Sequence, residues 1–252
     1  SPDGNTIYFS RCDARENQTQ GCYIYYAQKG NSSLEGTKKG KKSKSSSENE
    51  EWGDAVRINL GDTAFNYLYP AVTSDGLTMY FTSDMPKGQG DYDIWMTKRA
   101  TLADEFGTPV NMGKNINTAG REVFPVLRND STLYFSSNGL PGIGGQDIFV
   151  TEVHGSRSTE PQNLGVPINS SYDEMSIIYY PESEDNLMLE RGYFSSNRPF
   201  DDPFNKNTDK KGKKIPLPTL NLYSFELPQL LYTIEGTVRD EKSMQLIKGC
   251  KV

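Results

Sequence analysis

An internal repeat is the feature that most constrains what this 252-residue chain can fold into. Three short signatures recur along the sequence in the same order. The first is an aromatic pair, found as Tyr8-Phe9, Tyr80-Phe81, Tyr134-Phe135 and Tyr193-Phe194. The second is centred on an aliphatic residue, found as Tyr23-Ile24-Tyr25, Asp93-Ile94-Trp95, Asp147-Ile148-Phe149 and Asn221-Leu222-Tyr223. The third ends in glycine, found as Asn59-Leu60-Gly61, Asn111-Met112-Gly113 and Asn163-Leu164-Gly165. Because successive signature glycines lie 52 residues apart, the chain is predicted to be built of repeated structural units.

The residues within each repeat predict short antiparallel strands. Asp3-Gly4 and Asp75-Gly76 are typical of tight hairpin turns, because glycine adopts a positive φ at little cost. In the strand after the second turn, Met79 and Phe81 lie on one face and Tyr80 lies on the other. Both faces are bulky, so each sheet should be covered on both sides. We therefore expect an all-β fold, a β-propeller with four recognisable blades in a complete ring of five or six, the first blade lacking its opening strand.

Wide gaps in the repeat predict insertions and set the domain boundaries. Residues 29–50 and 199–218 interrupt otherwise even spacing, and insertions in repeat proteins map to loops. The Lys-rich runs at 29–50 and 205–214 are expected to be the most mobile and the first cut by trypsin. The propeller is assigned to 1–228, and 229–252 to a linker and the truncated start of a β-sandwich.

Charge and composition exclude several classes of function. The two Lys-rich runs hold 11 lysines and four acids, which leaves 16 basic and 29 acidic groups, a net of −13, on the rest of the chain. An acidic body disfavours nucleic acid as a partner. A single histidine, His154, excludes sites that need two histidines. The glycine-rich segments 88–90 and 142–145 lack the Lys-Ser/Thr of a phosphate loop. We expect no catalytic residue, no metal and no cofactor.

Four acidic residues recur at matching positions and are the main candidates for chemistry. Asp93 and Asp147 follow the glycine-rich loops, where a carboxylate can cap backbone N–H groups; calcium binding is the alternative. Glu122 and Glu174 match each other, and Tyr67 stands there in the preceding copy. Repetition favours an architectural role over acid–base chemistry at a channel mouth. On a loop face of the ring, Tyr67, Glu122 and Glu174 also form a candidate partner surface.

Two cysteines are placed to face each other. If Phe9 pairs with Tyr25 in an antiparallel hairpin, Cys12 falls opposite Cys22. A disulfide there would contribute about 3 kcal/mol in the chain-entropy model and would indicate an oxidising compartment. The alternative is two free thiols.

The repeat as a whole resembles a known family. The stretches SDGLTMYFTSDMPKGQGDYDIWMTKR and NDSTLYFSSNGLPGIGGQDIFVTEV are similar to the WD40-like, TolB-type propeller repeats of periplasmic OmpA-family proteins. The stretch after Pro228 is similar to the opening of a carboxypeptidase-regulatory-like sandwich, at Gly236, Val238, Asp240, Gly249 and Val252. This domain order resembles the PorE family of the type IX secretion system.

The resemblance implies a non-enzymatic interaction scaffold in a periplasmic, outer-membrane-associated protein. The implied partners are other periplasmic or outer-membrane proteins of the secretion machinery, without direct insertion into the membrane. Peptidoglycan would be bound only through an OmpA-like domain absent from this chain. The alternatives are a propeller enzyme, either a polysaccharide lyase or a hydrolase, and a sugar-binding propeller.

Overall fold

The computed structural model describes residues 4–14, 20–30, 52–180, 188–199, 220–228 and 239–245. In these ranges the secondary structure is all β, without a helix, so none of the described residues forms a helix that could cross a membrane. The expectations for the Lys-rich runs and for the start of the sandwich fall largely outside the described residues. The strands are β1 (Thr6–Ala14), β2 (Gln20–Gln28), β3 (Val56–Arg57), β4 (Tyr67–Val72), β5 (Thr78–Ser83), β6 (Asp93–Lys98), β7 (Val110–Asn111), β8 (Glu122–Arg128), β9 (Thr132–Ser137), β10 (Asp147–His154), β11 (Arg157–Ser158), β12 (Gln162–Asn163), β13 (Glu174–Tyr179), β14 (Met188–Ser196) and β15 (Asn221–Pro228).

These strands form four antiparallel sheets, each made of strands that are consecutive in sequence. The first sheet has the order β1-β2-β3 and the second β4-β5-β6-β7. The third has the order β8-β9-β10, with β11 and β12 both paired to β10, and the fourth has the order β13-β14-β15. The aromatic pairs lie in the equivalent strands β1, β5, β9 and β14, so one sheet corresponds to one sequence repeat.

The core lies between successive sheets, as the alternating pattern predicts. Met79 and Phe81 of β5 pack in a cluster with Tyr25 of the first sheet. Tyr80, between them in sequence, packs in the next cluster with Phe135 of the third sheet. Its hydroxyl donates to the carbonyl oxygen of Gly155 at 3.0 Å, and burial raises the pKa of Tyr80 to about 12. The expectation that both faces of a sheet are covered is confirmed for this strand.

The first strand of each later sheet joins it to the sheet before. β4 contacts β1 and β2, β8 contacts the second sheet, and β13 contacts the third. Each of these strands carries a β-bulge, where Tyr69, Phe124 and Ser176 adopt positive φ values of 54°, 55° and 52°. The sequence pattern did not predict this bulge, because none of the three residues is a glycine or an asparagine.

The described strands do not close into a barrel or a ring. The first and fourth sheets share no contact among these strands, and each contacts only its neighbour in sequence. The structure thus shows an all-β stack of four sheets.

Candidate functional site: the loop edge

One edge of the stack is formed by the loops at 84–92, 118–121, 138–146 and 170–173, which we call the loop edge. Backbone hydrogen bonds tie these loops together across the sheets. The amide of Asp91 donates to Gly120 at 3.0 Å, and the amide of Gly145 donates to Tyr172 at 3.2 Å. Two further bonds place the repeated acidic residues of adjacent sheets near each other: the amide of Glu122 donates to the carbonyl of Tyr92, next to Asp93, and the amide of Glu174 donates to that of Gln146, next to Asp147.

Asp93 is a buried cap for the loop that precedes it. Its carboxylate accepts hydrogen bonds from the backbone amide of Gln89 at 2.5 Å and from that of Gly90 at 3.1 Å. The side-chain amide of Asn111 donates to the same carboxylate at 2.8 Å. Asp93 is 1% exposed, so its oxygens are committed to these donors rather than to solvent. The structure gives Asp93 the predicted capping role.

Asp147 repeats this arrangement in the third sheet. It accepts from the amides of Ile143 and Gly144, and from the Asn163 side chain at 3.0 Å. A Cβ added at Gly142 would lie 2.1 Å from Oδ2 of Asp147, so the loop can close on the carboxylate only with glycine at that position. A Cβ added at the matching Gly88 would lie 2.5 Å from Oδ2 of Asp93.

Asn117 and Asn169 extend the repeated network, and the sequence analysis missed both. The side chain of Asn117 bonds to the amide and carbonyl of Ile94, at 2.8 and 2.9 Å. Asn169 makes the equivalent pair with Ile148, at 2.8 Å each. Asn117 and Asn169 are 52 residues apart, as are Glu122 and Glu174. That shared spacing was the signal that could have found them.

Glu122 and Glu174 begin the first strands of the third and fourth sheets, and both are 0% exposed. Glu122 accepts from the amide and hydroxyl of Thr118, at 2.8 and 2.7 Å, and from the hydroxyl of Ser137 at 2.6 Å. Glu174 accepts the same three bonds, from Ser170 at 2.7 and 2.6 Å and from Ser196 at 2.7 Å. Each carboxylate therefore joins a loop to the central strand of its own sheet.

The two glutamates differ in their charge partner. The Arg198 guanidinium lies 2.9 Å from Oε1 of Glu174 and also donates to the carbonyl of Pro167 at 3.0 Å. The position equivalent to Arg198 in the third sheet is Gly139, where an added Cβ would lie 1.7 Å from the Thr118 hydroxyl. Glu122 therefore receives no arginine from that position. Burial raises the pKa of Glu122 above its ordinary value of 4.5, because the lost solvation outweighs the hydrogen bonds, which act to lower it.

Burial corrects the interpretation of Tyr67, Glu122 and Glu174 as a partner surface. The glutamates are fully buried, and Tyr67 is 2% exposed, with its hydroxyl donating to the carbonyl of Asp62 at 2.9 Å. A partner cannot contact side chains that the neighbouring sheet already covers. Their role is architectural, which was the favoured alternative.

The exposed residues of the loop edge are not the repeated ones. Gln89 is replaced by Ile143 in the next copy, and Asp91 is replaced by Gly145. Ile143 is 47% exposed and Tyr172 is 43% exposed. The buried network is thus held constant between copies, while the surface it supports changes in charge and hydrophobicity.

The cysteines lie near the end of the first hairpin where β1 ends and β2 begins. β1 and β2 pair with Phe9 opposite Tyr25 and Cys12 opposite Cys22, the register expected from the sequence. A disulfide joins Cys12 to Cys22. Next to it, the backbone amide of Cys22 donates to the side chain of Asn66 at 3.1 Å, which ties the hairpin to the second sheet.

The described residues form no candidate metal site. Within the described ranges, no group of three or more His, Cys, Asp or Glu side chains is arranged to hold a metal ion.

Comparison with known proteins shows no family for this chain. No protein-family model matches the chain, and no curated protein matches it. Among solved structures, the chain is similar to an α-L-arabinofuranosidase from Lactobacillus brevis, at 13% identity and a TM-score of 0.49, over 99% of this chain and 74% of that one. A likeness at this level is too low to assign a fold or an activity.

Proposed function

We propose that the four sheets are blades of a β-propeller that acts as a non-enzymatic protein-interaction scaffold. The proposed setting is a periplasmic, outer-membrane-associated protein of the type IX secretion machinery, most similar to the PorE family. The proposed partners are other periplasmic or outer-membrane proteins of that machinery.

The propeller is supported by the way the sheets repeat. Each is an antiparallel run of consecutive strands, and each packs face to face on the next through the same aromatic-pair strand. The first strands of successive sheets contact one another, because β1 contacts β4, β4 contacts β8 and β8 contacts β13. The blades of a β-propeller are arranged around a common central channel. Contacts between the first strands of successive sheets fit that arrangement.

The scaffold role rests on the contrast between buried and exposed residues at the loop edge. The acidic residues that could carry chemistry accept hydrogen bonds from their own loops, and Glu122 and Glu174 are fully buried. The exposed positions vary on a rigid support, which is how loops carry specificity in binding proteins. Ile143 and Tyr172 give this edge apolar contact area, a common feature of interface centres.

The test is capture of partners with matched surface variants. Tagged chain should recover secretion-system proteins from an envelope extract of a bacterium that secretes by the type IX pathway. The Ile143→Asp/Tyr172→Ala double variant should lose this capture. Val110→Asp should retain it, because Val110 is also 47% exposed but lies on β7, outside the four loops that form the loop edge.

Two results would overturn the scaffold proposal. One is sedimentation of the chain with purified peptidoglycan, which is expected to leave the chain in the supernatant. The other is turnover of a polysaccharide by the purified chain, which would favour a propeller enzyme.

A further inference from the structure

Three equivalent residues precede the first strands of the second, third and fourth sheets: Asn66, Arg121 and Asp173. In the second sheet the Asn66 side chain donates to Asp84, just after β5, at 2.6 Å. In the fourth sheet the Asp173 carboxylate accepts from the Asn197 side chain, just after β14, at 2.6 Å. In both sheets the side chain at this position therefore holds the start of the first strand against the end of the central strand.

Arg121 makes the matching contacts with its backbone instead. Its amide donates to Oδ1 of Asn138 at 2.8 Å, and its carbonyl accepts from the Asn138 amide at 3.4 Å. The guanidinium is exposed, and it makes no hydrogen bond or ion pair with the described residues. The structure describes residues 52–180 without a gap, and this range holds the whole of the second and third sheets. The third sheet thus presents a cation where its neighbours use a side chain internally.

Aromatic side chains lie beside this guanidinium. Its Cζ atom lies over the Tyr92 ring, 5.1 Å from the centroid, within the range of a cation–π contact. A parallel β-bridge holds Tyr92 and Arg121 together. At the bulges of β4 and β8, the rings of Tyr69 and Phe124 pack with their centroids 4.0 Å apart, and both residues are half-buried. Burial raises the pKa of Tyr69 and the Arg121 charge acts to lower it, so the two groups lie within electrostatic reach of each other.

Tyr69, Tyr92, Arg121 and Phe124 form what we call the Arg121 cluster, and its polar groups are hydrogen-bond donors. The Tyr92 hydroxyl accepts from the Asn66 side chain at 3.4 Å, which leaves its own hydrogen to donate. The Tyr69 hydroxyl makes no hydrogen bond with another described residue. A guanidinium can only donate, and its geometry matches a carboxylate through two parallel N–H···O bonds. The cluster therefore combines a cation, hydroxyl donors and apolar ring surface.

The Arg121 cluster adjoins the exposed apolar residues of the loop edge. The Gln146 side chain donates to the carbonyl of Arg121 at 3.5 Å, and Gln146 follows the exposed Ile143 by three residues. The amide of Gly145, between them, donates to the carbonyl of the exposed Tyr172 at 3.2 Å. The cation and the apolar side chains thus belong to neighbouring loops that are bonded to one another.

We propose that the Arg121 cluster anchors an acidic side chain of a partner polypeptide, with an aromatic or aliphatic residue beside it. The Arg121 guanidinium binds the carboxylate, the tyrosine hydroxyls donate to its remaining lone pairs, and the neighbouring residue packs on Tyr69 and Phe124. Arginine and tyrosine are enriched among the residues that dominate binding energy at interfaces. The inference rests on the proposed function, because it names the chemistry of the partner that the loop edge binds.

The experiment titrates the purified 252-residue chain with Ac-GFEFG-NH2, a blocked peptide whose only charge is the glutamate carboxylate. Amide NMR signals of residues 84–92 and 118–121 should shift saturably, with a Kd on the order of 1 mM for so small a contact. The matched peptide Ac-GFQFG-NH2 should bind at least about fivefold more weakly, because its amide cannot form charge-assisted bonds with arginine. Equal binding of the two peptides, or no saturable shift with either, would overturn the proposal.

A matched pair of charge variants places the peptide on the cluster. Arg121→Gln should abolish the preference for the glutamate peptide, whereas Lys87→Gln should change the Kd less than about twofold. Lys87 is an exposed residue of the loop 84–92, so each variant removes one positive charge from the loop edge. Tyr69→Phe should raise the Kd about threefold, because it removes a hydroxyl donor and keeps the ring. Equal losses in Arg121→Gln and Lys87→Gln would indicate general charge attraction and overturn the site.

A small organic anion is the competing ligand. Sodium acetate carries the same carboxylate without the flanking apolar side chains, so its Kd should be at least about tenfold higher than that of the glutamate peptide. Acetate that binds as tightly as the peptide would assign the cluster to small anions and overturn the polypeptide ligand.

The envelope capture separates this inference from the proposed function. Arg121→Gln should recover less partner protein than the wild-type chain, and Lys87→Gln should recover as much. Unchanged capture by Arg121→Gln would overturn the anchor and leave the scaffold function standing. Failure of the wild-type chain to capture any secretion-system protein would overturn the scaffold function, and the peptide titration would still decide whether the Arg121 cluster binds an acidic side chain.

Discussion

The buried carboxylates show how one residue type is used in two electrostatic settings. Glu122 and Glu174 accept the same three hydrogen bonds, but only Glu174 has the Arg198 guanidinium 2.9 Å away. Desolvation raises the pKa of Glu122, so the folded state holds its proton more tightly than the unfolded chain does. The ionised form of Glu122 is consequently a cost to folding at neutral pH.

Glutamine substitutions should separate the two settings. Glu174→Gln should lower the free energy of unfolding by about 2–3 kcal/mol at pH 7, because Arg198 loses its carboxylate. Glu122→Gln should cost about 1 kcal/mol or less, because the ionisation penalty is removed with the charge. Urea unfolding measures both, and equal losses would contradict the role given to Arg198.

The raised pKa of Glu122 makes the free energy of unfolding depend on pH in a definite direction. Because the folded pKa of Glu122 is the higher one, its contribution to stability is most favourable below the ordinary value of 4.5 and is lost as the pH rises through the folded pKa. The wild-type chain should therefore lose stability relative to Glu122→Gln when unfolding is repeated from about pH 4 to pH 7. A difference that does not change with pH would contradict the raised pKa.

At the scale of elements, pairing between strands and close packing between loops decide the structure. The hairpin of β1 and β2 is closed by the Cys12–Cys22 disulfide, and the loop edge is closed by glycines that allow backbone to approach backbone. In both cases a close contact holds one element in a fixed position against its neighbour.

Loss of the disulfide should destabilise the first hairpin. The bond closes a short loop, so Cys12→Ser/Cys22→Ser should lower the unfolding free energy by about 3 kcal/mol in the chain-entropy model. Thermal unfolding with and without reductant is the measurement, and the double variant, being insensitive to reductant, is the control. Mass spectrometry of the untreated chain should show a two-hydrogen deficit in the peptide that spans both cysteines. Alkylation of both thiols without reduction would contradict the bond.

Gly144 should not tolerate a side chain. An added Cβ would lie 2.0 Å from the carbonyl oxygen of Tyr172, and backbone at this point cannot move without breaking the loop edge. Gly144→Ala should cost about 2 kcal/mol or more in unfolding free energy. Gly107→Ala is the control, because its Cβ would meet the Lys98 carbonyl at 3.2 Å and should cost less than about 1 kcal/mol. Similar losses in the two variants would argue against the close approach.

At the scale of the whole molecule, stability is shared among interfaces between successive sheets. The ends of one insertion are held together by strand pairing, because Lys29 bridges to Trp52 and the amide of Gly53 donates to Gln28 at 2.8 Å.

Deletion of residues 31–48 should leave the fold intact. Since Lys29 and Trp52, on either side of the segment, already form a bridge, a short Gly/Ser turn can replace it at little entropic cost. Far-UV circular dichroism should be unchanged, and the melting temperature should fall by no more than a few degrees. Unfolding of the deletion variant would show that the segment belongs to the core.

The sequence by itself determined the repeat, the strands that carry the aromatic pairs, and the register of the first hairpin. These are local properties: alternation with period two sets which side chains share a face, and Phe9 opposite Tyr25 places Cys12 opposite Cys22 whatever the rest of the chain does. The tertiary structure alone decided the burial of Tyr67, Glu122 and Glu174, the pairing of Arg198 with Glu174, and the bulges at Tyr69, Phe124 and Ser176. The physical reason is distance along the chain: Ser137 and Arg198 reach their glutamates only after the sheets have formed, so matching positions in the sequence could identify the glutamates but not what surrounds them.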